Sequence, residues 1–242
     1  MKKEFCLIID AHVHVGRTIA DAEPENFVSL MDNCKIDKAI IFRYFYNKPT
    51  IEANIYIQSI VKKFPHHFIG FAWVNPNDKE AVKELRYAAT ELQLKGVKLH
   101  LEMNPTPLSK LKKLFKEAQA LEIPLIIHLG EDFDCINVLS QEFNVDIIIA
   151  HLGTGVFHLC KTRLEKAISL ANNPKIYLET SGNIYRYVKH AVDSLGASKL
   201  ILGSDFPHEH PLVSTKIVQI LEISTQDKEL ILGKNIKRII GI

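Results

Sequence analysis

The fold is decided by the stretch Leu7-Ile8-Ile9-Asp10-Ala11-His12-Val13-His14-Val15-Gly16, an apolar run that leads into two histidines one residue apart. Side chains alternate between the two faces of an extended strand, so His12 and His14 are predicted to point the same way and Val13 the opposite way. Two imidazoles side by side at a strand end are a natural start for a metal site. The alternative is a solvated histidine pair at a sheet edge, and the rest of the chain has to decide.

Seven further apolar runs of strand length follow this stretch, with helix-like segments between them. They cover residues 38–44, 68–74, 96–100, 124–128, 145–151, 176–180 and 200–205. Nearly continuous apolar runs are typical of strands buried on both faces of a parallel sheet. Eight strand–helix units predict an α/β fold, a (β/α)8 TIM barrel, as one domain over residues 1–242. An open doubly wound sheet is the alternative, but Gly16-Arg17-Thr18 lacks the glycine-rich turn of a dinucleotide fold.

The helical segments carry boundary signals of their own. A short helix is predicted from Pro24 to Asn33, and a longer one from Thr50 to Phe64 that Pro65 closes. Asn77, with Glu80 three residues later, resembles a capping box and predicts a helix start at Asn77.

Composition narrows the class of protein. The chain has 242 residues, 47% of them hydrophobic, with no linker or low-complexity segment, so it can bury a large core. A formal net charge of +2 does not indicate nucleic acid or a membrane as partner. Asp10 and His12 interrupt the first apolar run too early for a signal peptide. The cysteines lie far apart, at Cys6, Cys34, Cys135 and Cys160. They are typical of reduced thiols, and we predict a cytoplasmic protein.

Polar residues fall at or near the carboxyl ends of the predicted strands. The set is His12, His14, Lys98, His100, His128, His151, Glu179 and Asp205. A barrel builds its active site on this face, so the shared placement favours one site. Imidazoles and a carboxylate suit a divalent transition metal, zinc first, with manganese or iron as alternatives. We predict His12, His14, His128 and Asp205 as ligands. Asp205 would also accept the proton of a metal-bound water.

With these pieces in order along the chain, the sequence resembles the amidohydrolase superfamily, and within it the amidohydrolase 2 branch. The matching segments are Ile9–His14, Gly96–His100, Ile127-His128, Ala150–Gly153, Glu179–Gly182, Gly203–Pro207 and the closing Leu232–Gly241. The resemblance implies a metal-dependent barrel enzyme that acts by hydrolysis or by decarboxylation. By this resemblance, His12, His14 and His128 bind the metal, and Asp205 is both a metal ligand and the general base. His151 would be either a further ligand or a group that polarises the substrate or orients the water.

Lys98 has two interpretations. In binuclear relatives a carboxylated lysine or a glutamate on strand four bridges two metals, and Lys98 lies about where that group would be. Alternatively, Lys98 stays an ammonium that pairs with a substrate carboxylate or a nearby acid. We therefore predict one metal ion, with a second only if Lys98 is carboxylated.

The remaining candidates concern the substrate, which we predict to be a small molecule. Contacts are expected from Arg43, Tyr44, Tyr46, Asn75, His100 and His208, whereas Glu179 is expected to be an ion-pair partner. Arg43 can fork onto a carboxylate or pair with a surface acid. Since the strands are followed by no long insertions, the pocket is either open or borrows walls from a neighbouring subunit, which makes a homodimer or larger homo-oligomer an expectation.

These residues support metal-assisted hydrolysis of an amide, ester or lactone bond. Asp205 takes the proton of the attacking water and later delivers it to the leaving group, while His151 or Lys98 helps to stabilise the oxyanion. One rival is non-hydrolytic decarboxylation of an aromatic or unsaturated carboxylic acid. Another, from a different class, is a barrel that binds a metal or metabolite without catalysis.

Overall fold

The computed structural model describes residues 7–16, 22–43, 51–155 and 159–242. Its strands are β1 Ile9–Val15, β2 Lys38–Arg43, β3 Phe68–Gly70, β4 Ala72–Trp73, β5 Val97–His100, β6 Leu125–His128, β7 Ile147–Ile149, β8 Ile176–Glu179 and β9 Leu200–Ile201. Its helices are α1 Pro24–Cys34, α2 Ile51–Lys63, α3 Ala81–Thr90, α4 Leu108–Ala120, α5 Phe133–Glu142, α6 Lys161–Leu170, α7 Tyr185–Leu195, α8 Pro211–Gln219, α9 Thr225–Glu229 and α10 Asn235–Ile239. A π-helical turn, Leu230–Lys234, joins α9 to α10.

The strands form the parallel barrel that the sequence predicted. They run as β1-β2-β3 and as β4 through β9 in sequence order, and every ladder is parallel. β3 and β4 are one predicted strand interrupted at Phe71, whose N–H donates to Ile41 O at 2.9 Å. At the other edge, Ala11 N–H donates to Leu202 O at 2.9 Å and His14 N–H donates to Phe206 O at 2.8 Å. The first strand therefore lies beside the last, as it does in a (β/α)8 barrel.

At the end of β4, a buried asparagine side chain forms hydrogen bonds with the backbone of Trp73. Asn54 of α2 accepts the Trp73 N–H at 2.8 Å and donates to the Trp73 carbonyl at 3.1 Å. It also donates to Glu84 Oε1 of α3 at 2.8 Å. One side chain thus satisfies both backbone groups of Trp73, which fixes this residue at the carboxyl end of the strand.

β1 contains a β-bulge between Asp10 and Val13, at the first histidine of the pair. The register pairs Asp10 with Ala39 and then Val13 with Ile41, so β1 takes three steps where β2 takes two. Ala11 packs in the inner apolar cluster, whereas Val13 packs in the outer one. The extra residue allows His12 to follow Ala11 onto the inner side, and His14 returns to that side by ordinary alternation.

The core has two layers, as a barrel requires. The outer layer packs the strands against the helices, with members such as Ile41, Leu99 and Ile149. The inner layer fills the barrel between the strands with Ile9, Ile40, Ile126, Ile148, Ile201 and their neighbours. Ile236 and Ile240 near the end of the chain pack into this inner layer. Burial on both faces explains why the strands are nearly continuous apolar runs.

The prediction of a helix start at Asn77 is wrong. α3 begins at Ala81, and the Asn77 side chain instead donates to Pro105 O at 3.0 Å and to Thr106 Oγ1 at 3.2 Å. Its amide group therefore ties the segment after β4 to the loop before α4, a tertiary role that competes with capping. Within the described ranges, none of the helices combines the length and apolar character that crossing a bilayer needs.

Candidate metal and active site

The site lies at the carboxyl ends of the strands and centres on His12, His14 and Asp205. Asp205 Oδ1 is 3.1 Å from His12 Nε2 and 3.1 Å from His14 Nε2. All three side chains are buried. Ligand atoms that share one metal at about 2.1 Å lie roughly 3 Å apart, so these separations match a common coordination sphere.

Backbone geometry presents Asp205 to the histidines. Its φ is 62°, and its N–H donates to the His12 carbonyl at 2.8 Å. The residue before it, Ser204, donates from Oγ to Asp10 Oδ2 at 2.6 Å and from N to Asp10 Oδ1 at 2.9 Å. Asp10 Oδ1 also accepts the His12 N–H at 3.1 Å. Asp10 therefore fastens the segment that carries Asp205 to the segment that carries His12.

Glu179 contacts His12 from the side opposite Asp205. Its Oε2 lies 2.9 Å from His12 Nδ1. Gly203 is the residue that leaves space for it, because a Cβ there would come within 2.2 Å of Glu179 Oε1. An ionised carboxylate on Nδ1 fixes the His12 ring and leaves Nε2 directed at Asp205, as an acceptor on the other ring nitrogen commonly does for a metal-binding histidine. The expectation that Glu179 is an ion-pair partner of some kind agrees with this contact.

Lys98 reaches the same histidine. Its Nζ lies 3.0 Å from His12 Nε2 and 4.9 Å from the centre of the Phe42 ring. Burial lowers the pKa of Lys98 to about 8, against the opposing effect of Asp205 and Glu179. A lysine nitrogen this close to a candidate ligand atom leaves both of its predicted roles open.

His128 of β6 and His100 of β5 are neighbours, and their rings are stacked. The register pairs them directly, and their ring centres are 4.0 Å apart at an interplanar angle of 13°. Trp73 extends the stack, with its ring 6.3 Å from His100 at 8°. His128 Nε2 lies 2.7 Å from Glu102 Oε2, but the contact lacks hydrogen-bond geometry, so this buried nitrogen has no hydrogen-bond partner in the described part of the chain.

His151 packs against both His12 and His128. It follows β7 in a short 3-10 turn at φ 57°, and its ring centre is 4.8 Å from those of both His12 and His128. Its Nδ1 is 2.8 Å from Ser181 Oγ. The site therefore gathers His12, His14, Lys98, His100, His128, His151, Glu179 and Asp205, as the strand-end pattern predicted.

Burial keeps most of these imidazoles neutral. It lowers the pKa of His14 to about 4 and the pKa values of His100 and His151 to about 3. The pKa of His128 is also lowered, first by burial and then by the charge of His151. Neutral imidazoles offer the lone pairs that a metal requires.

His12 and the two acids behave differently. Burial and Lys98 oppose a charged His12, but Asp205 and Glu179 outweigh them and raise its pKa. Burial works against ionisation of Asp205 and Glu179, yet His12 overcomes it and the pKa values of both carboxyls are lowered. Asp205 is therefore a charged group, and its Oδ2 is buried without a hydrogen-bond partner among the described residues.

The donor set fits a divalent cation on these grounds. Buried polar atoms nearly always find a partner, yet Asp205 Oδ2 and His128 Nε2, which belong to predicted ligands, have no hydrogen-bond partner among the described residues. A second grouping of His12, His151 and Glu179 also brings ligand-type atoms within 4.8 Å of one another. Imidazole nitrogen with carboxylate oxygen is the donor chemistry of zinc, manganese and iron.

Some predicted substrate contacts lie elsewhere. Phe42 faces His12, so alternation along β2 turns Arg43 outward, where its guanidinium lies 4.3 Å above the Tyr56 ring. Asn75 uses its Oδ1 to accept the Asn77 N–H at 3.0 Å, within its own loop. The exposed His208 does lie beside the site, with its ring 6.2 Å from that of His14. Tyr44 and Tyr46 fall outside the described residues.

Sequence reasoning did not identify Ser181, Glu102 or the pairing of Asp10 with Ser204. Asp10 and Ser204 lie inside quoted motifs, but their contact joins residues 194 positions apart. Glu102 sits on a loop and is 53% exposed at its side chain, so no strand pattern marks it. A signal for Ser181 existed, since it lies two residues beyond Glu179 at a strand end.

Comparison with known proteins bears on this architecture. A family model described as amidohydrolase matches residues 9–242. Among solved structures, a probable 2-pyrone-4,6-dicarboxylic acid hydrolase from Acinetobacter baumannii, with citric acid bound, is 20% identical with a TM-score of 0.79, over 98% of this chain and 100% of that one. A 5-carboxyvanillate decarboxylase from Novosphingobium aromaticivorans, with bound manganese, is 14% identical with a TM-score of 0.77, over 99% and 98%.

A third structure adds another reaction. The 4-oxalomesaconate hydratase from Rhodopseudomonas palustris is 16% identical with a TM-score of 0.76, over 97% of this chain and 96% of that one. No match was found among curated protein sequences. At these identities the structural likeness concerns the fold, and the neighbours themselves differ in reaction.

Proposed function

Because the chain belongs to the amidohydrolase family, whose members are enzymes, we propose that it is a metal-dependent hydrolase that cleaves an amide, ester or lactone bond of a small molecule. The observation that carries the proposal is the convergence of His12 Nε2 and His14 Nε2 on Asp205 Oδ1 at 3.1 Å each. The second oxygen of the same carboxylate is buried and lacks a hydrogen-bond partner among the described residues. A carboxylate built this way has one oxygen for the histidine cluster and one for chemistry.

His12, His14, His128 and Asp205 are the residues that would hold the metal. Zinc fits three nitrogens and an oxygen, and manganese and iron fit the same donors. When bound, such an ion lowers the pKa of a coordinated water and polarises a substrate carbonyl. His12 is prepared for this role by Glu179 on its other nitrogen, at 2.9 Å.

Asp205 is the proposed general base and acid. Its free Oδ2 can accept the proton of the attacking water and then deliver it to the leaving group. The lowered pKa of this carboxyl keeps it ionised at neutral pH, which is the form that can accept a proton. Burial of its side chain excludes bulk water as a competing acceptor.

Lys98 and His151 are the proposed stabilisers of negative charge on the substrate oxygen. Lys98 is buried next to Asp205 and Glu179, whose charges favour its ammonium form. His151 packs against His12, with its ring centre 4.8 Å from that of His12. If Lys98 is instead carboxylated, it becomes the ligand that admits a second metal, so metal content decides between its roles.

Decarboxylation of an aromatic or unsaturated carboxylic acid is the second candidate, and one observation favours it. Trp73, His100 and His128 form a nearly parallel stack along one wall, which suits a planar substrate. Asp205, which is ionised, would first accept a proton from water or a substrate hydroxyl and then deliver it to the carbon that loses carbon dioxide. His208 and His100 are the proposed substrate contacts in either reaction.

One experiment separates hydrolysis, decarboxylation and binding without catalysis. The purified protein is analysed for metal, loaded with Zn²⁺ or Mn²⁺, and assayed against lactones, amides, esters and unsaturated carboxylic acids in water enriched in oxygen-18. Incorporation of the label into a carboxylate product supports hydrolysis. Release of carbon dioxide with no oxygen-18 in the remaining organic product supports decarboxylation, and stoichiometric metal with no turnover across the panel contradicts both.

Assembly is a separate proposal. We expect a homodimer or larger homo-oligomer, because the sequence has no long insertions after its strands and a neighbouring subunit could supply walls of the pocket. A cytoplasmic location is a separate expectation, from the widely spaced cysteines. Light scattering on the purified protein measures the number of subunits, and a monomer at micromolar concentration contradicts the expectation.

A further inference from the structure

A hydrogen-bonded chain joins two histidines of the site through Glu179 and Ser181. Glu179 Oε2 lies 2.9 Å from His12 Nδ1 and accepts from Ser181 Oγ at 2.8 Å. The same Ser181 Oγ lies 2.8 Å from His151 Nδ1. All four side chains are buried, so water does not compete for these groups.

Counting hydrogens along this chain fixes the direction of each bond. Glu179 also receives the backbone N–H of Ser181 and, at 3.3 Å, that of His151, so it is surrounded by donors, which stabilise its ionised form. A serine hydroxyl has one hydrogen, and Ser181 gives it to Glu179. The contact between Ser181 Oγ and His151 Nδ1 therefore needs its hydrogen from the imidazole.

We propose that Ser181 is a positioning residue that holds His151 in the tautomer with hydrogen on Nδ1, leaving Nε2 as a bare lone pair. The Ser181 hydroxyl would then set the tautomer of His151, because its own hydrogen is given to Glu179. The serine carbonyl, 3.4 Å from His151 Nδ1, is a second acceptor on the same side and supports this direction.

Neighbouring contacts hold His151 in place for this bond. The residue has φ 57°, a conformation that a non-glycine side chain adopts at a cost. Thr154 Oγ1 bonds to the His151 carbonyl at 2.8 Å and lies 3.2 Å from Asn183 Oδ1, while Asn183 Nδ2 donates to Ser181 O at 3.0 Å. The loops after β7 and β8 are thus tied together around the pair.

The consequence for the reaction rests on the proposed function. A bare Nε2 on His151 can accept a proton or bind an electrophile, whereas an imidazole with hydrogen on Nε2 can only donate there. His151 would therefore act as an acceptor in the site, and any oxyanion stabilisation by it would require prior protonation. That assigns the donor role in the resting site to Lys98.

The test uses Ser181→Ala in the full chain, with Ser140→Ala as a matched control. Ser140 is also buried, but its hydroxyl donates to Asn137 O at 2.9 Å, away from the site. Histidine nitrogens are observed by long-range proton–nitrogen correlation NMR, before and after Zn²⁺ loading, and the His151→Gln spectrum assigns the signals. In the unchanged protein and in Ser140→Ala we expect His151 to carry hydrogen on Nδ1 only.

In Ser181→Ala we expect a measurable population with hydrogen on Nε2, together with a kcat lower by roughly 10–100-fold and a KM within about threefold. Zn²⁺ affinity should stay within about threefold, because His12 keeps Glu179. Glu179→Gln, by contrast, should lower Zn²⁺ affinity by roughly 10–100-fold, because His12 loses its carboxylate partner.

The proposal is overturned if His151 carries hydrogen on Nε2 in the unchanged protein, or if Ser181→Ala leaves its nitrogen signals unchanged. These signals do not depend on turnover. A protein inactive across the substrate panel would therefore contradict the proposed function and leave the tautomer assignment intact. An active protein whose His151 carries hydrogen on Nε2 would contradict the tautomer assignment and leave the proposed function intact.

Discussion

The two ends of the barrel bury polar groups in opposite ways. At the amino end, the buried Asn235 donates to Ala197 O and Leu200 O at 2.8 Å each, beside the apolar Ile236. At the carboxyl end, Asp205 Oδ2 and His128 Nε2 are buried without hydrogen-bond partners in the described part of the chain. A polar residue that serves the fold finds its partner within the fold, whereas groups kept unpaired at a cost are reserved for a ligand.

The largest expected effect is that of Asp205→Asn, at the carboxyl end, on kcat. We expect kcat to fall by roughly 10²–10⁴-fold, because an amide cannot accept the proton, while metal is retained through the amide oxygen and the histidines. Steady-state kinetics on the best substrate of the panel, with elemental analysis of the same samples, measures both. Asp146→Asn applies the same change to a carboxylate beside Lys175 at the amino end and should leave kcat unaltered. Full activity of Asp205→Asn would remove Asp205 from the mechanism.

The opposite end is tested by Ile236→Ala. Ile236 is fully buried in the inner apolar layer, so its truncation should lower the free energy of unfolding by about 2–5 kcal/mol. Metal content per folded chain should not change, because no ligand lies there. Urea denaturation and elemental analysis provide the measurements, with Ile242→Ala, 45% exposed, as the control. Loss of metal from folded Ile236→Ala protein would show that the two ends are coupled.

Metal binding at the carboxyl end should increase the free energy of unfolding. At about 100 times its dissociation constant, Zn²⁺ or Mn²⁺ should raise the free energy of unfolding by about 2.7 kcal/mol, because only the folded chain assembles the site. Thermal or urea unfolding with and without a chelator measures this gain. It should shrink in His14→Ala but persist in His190→Ala, whose imidazole pairs with Glu165 at the surface. An equal gain in both variants would place the metal elsewhere.

Much of this architecture could be predicted because it follows from short-range rules. Period-two alternation gave the shared direction of His12 and His14, and parallel strands bring their carboxyl ends to one face. That is why the sequence alone predicts Asp205, 193 residues after His12, to lie beside it. The ligand roles of these residues stay predictions, but their proximity does not depend on those roles.

What the sequence could not supply are contacts that depend on local irregularity or on loops. The bulge between Asp10 and Val13 shifts the pattern by one residue, and nothing in the apolar run marks it. Glu102 reaches His128 from a loop. Arg43 is a different case, because the same alternation rule applied to Ile40 and Phe42 would have turned it outward. A candidate substrate contact at a strand end needs its face checked as well as its position.

The smallest effect separates the buried Glu179 from the half-buried Glu84 and concerns stability alone. Donors and His12 surround Glu179, whose pKa is lowered, whereas Glu84 has one donor from Asn54, and burial raises its pKa to about 7 from 4.5. The folded chain therefore binds the Glu84 proton more tightly than the unfolded chain does. Stability should fall as pH rises from about 4.5 to about 7, and the loss should remain in full above that range.

Glu84→Gln removes this loss while keeping an oxygen for Asn54. At pH 8 we expect the variant to be more stable than the unchanged protein by about 1 kcal/mol, a figure reduced from the full shift because the carboxyl is partly solvated. Near pH 4.5 the difference should vanish. Urea denaturation across this pH range measures it, with the exposed Glu80→Gln as control. A stability difference that is constant with pH would mean that Glu84 is charged in the fold, and that Asn54 holds Trp73 through an ionised carboxylate.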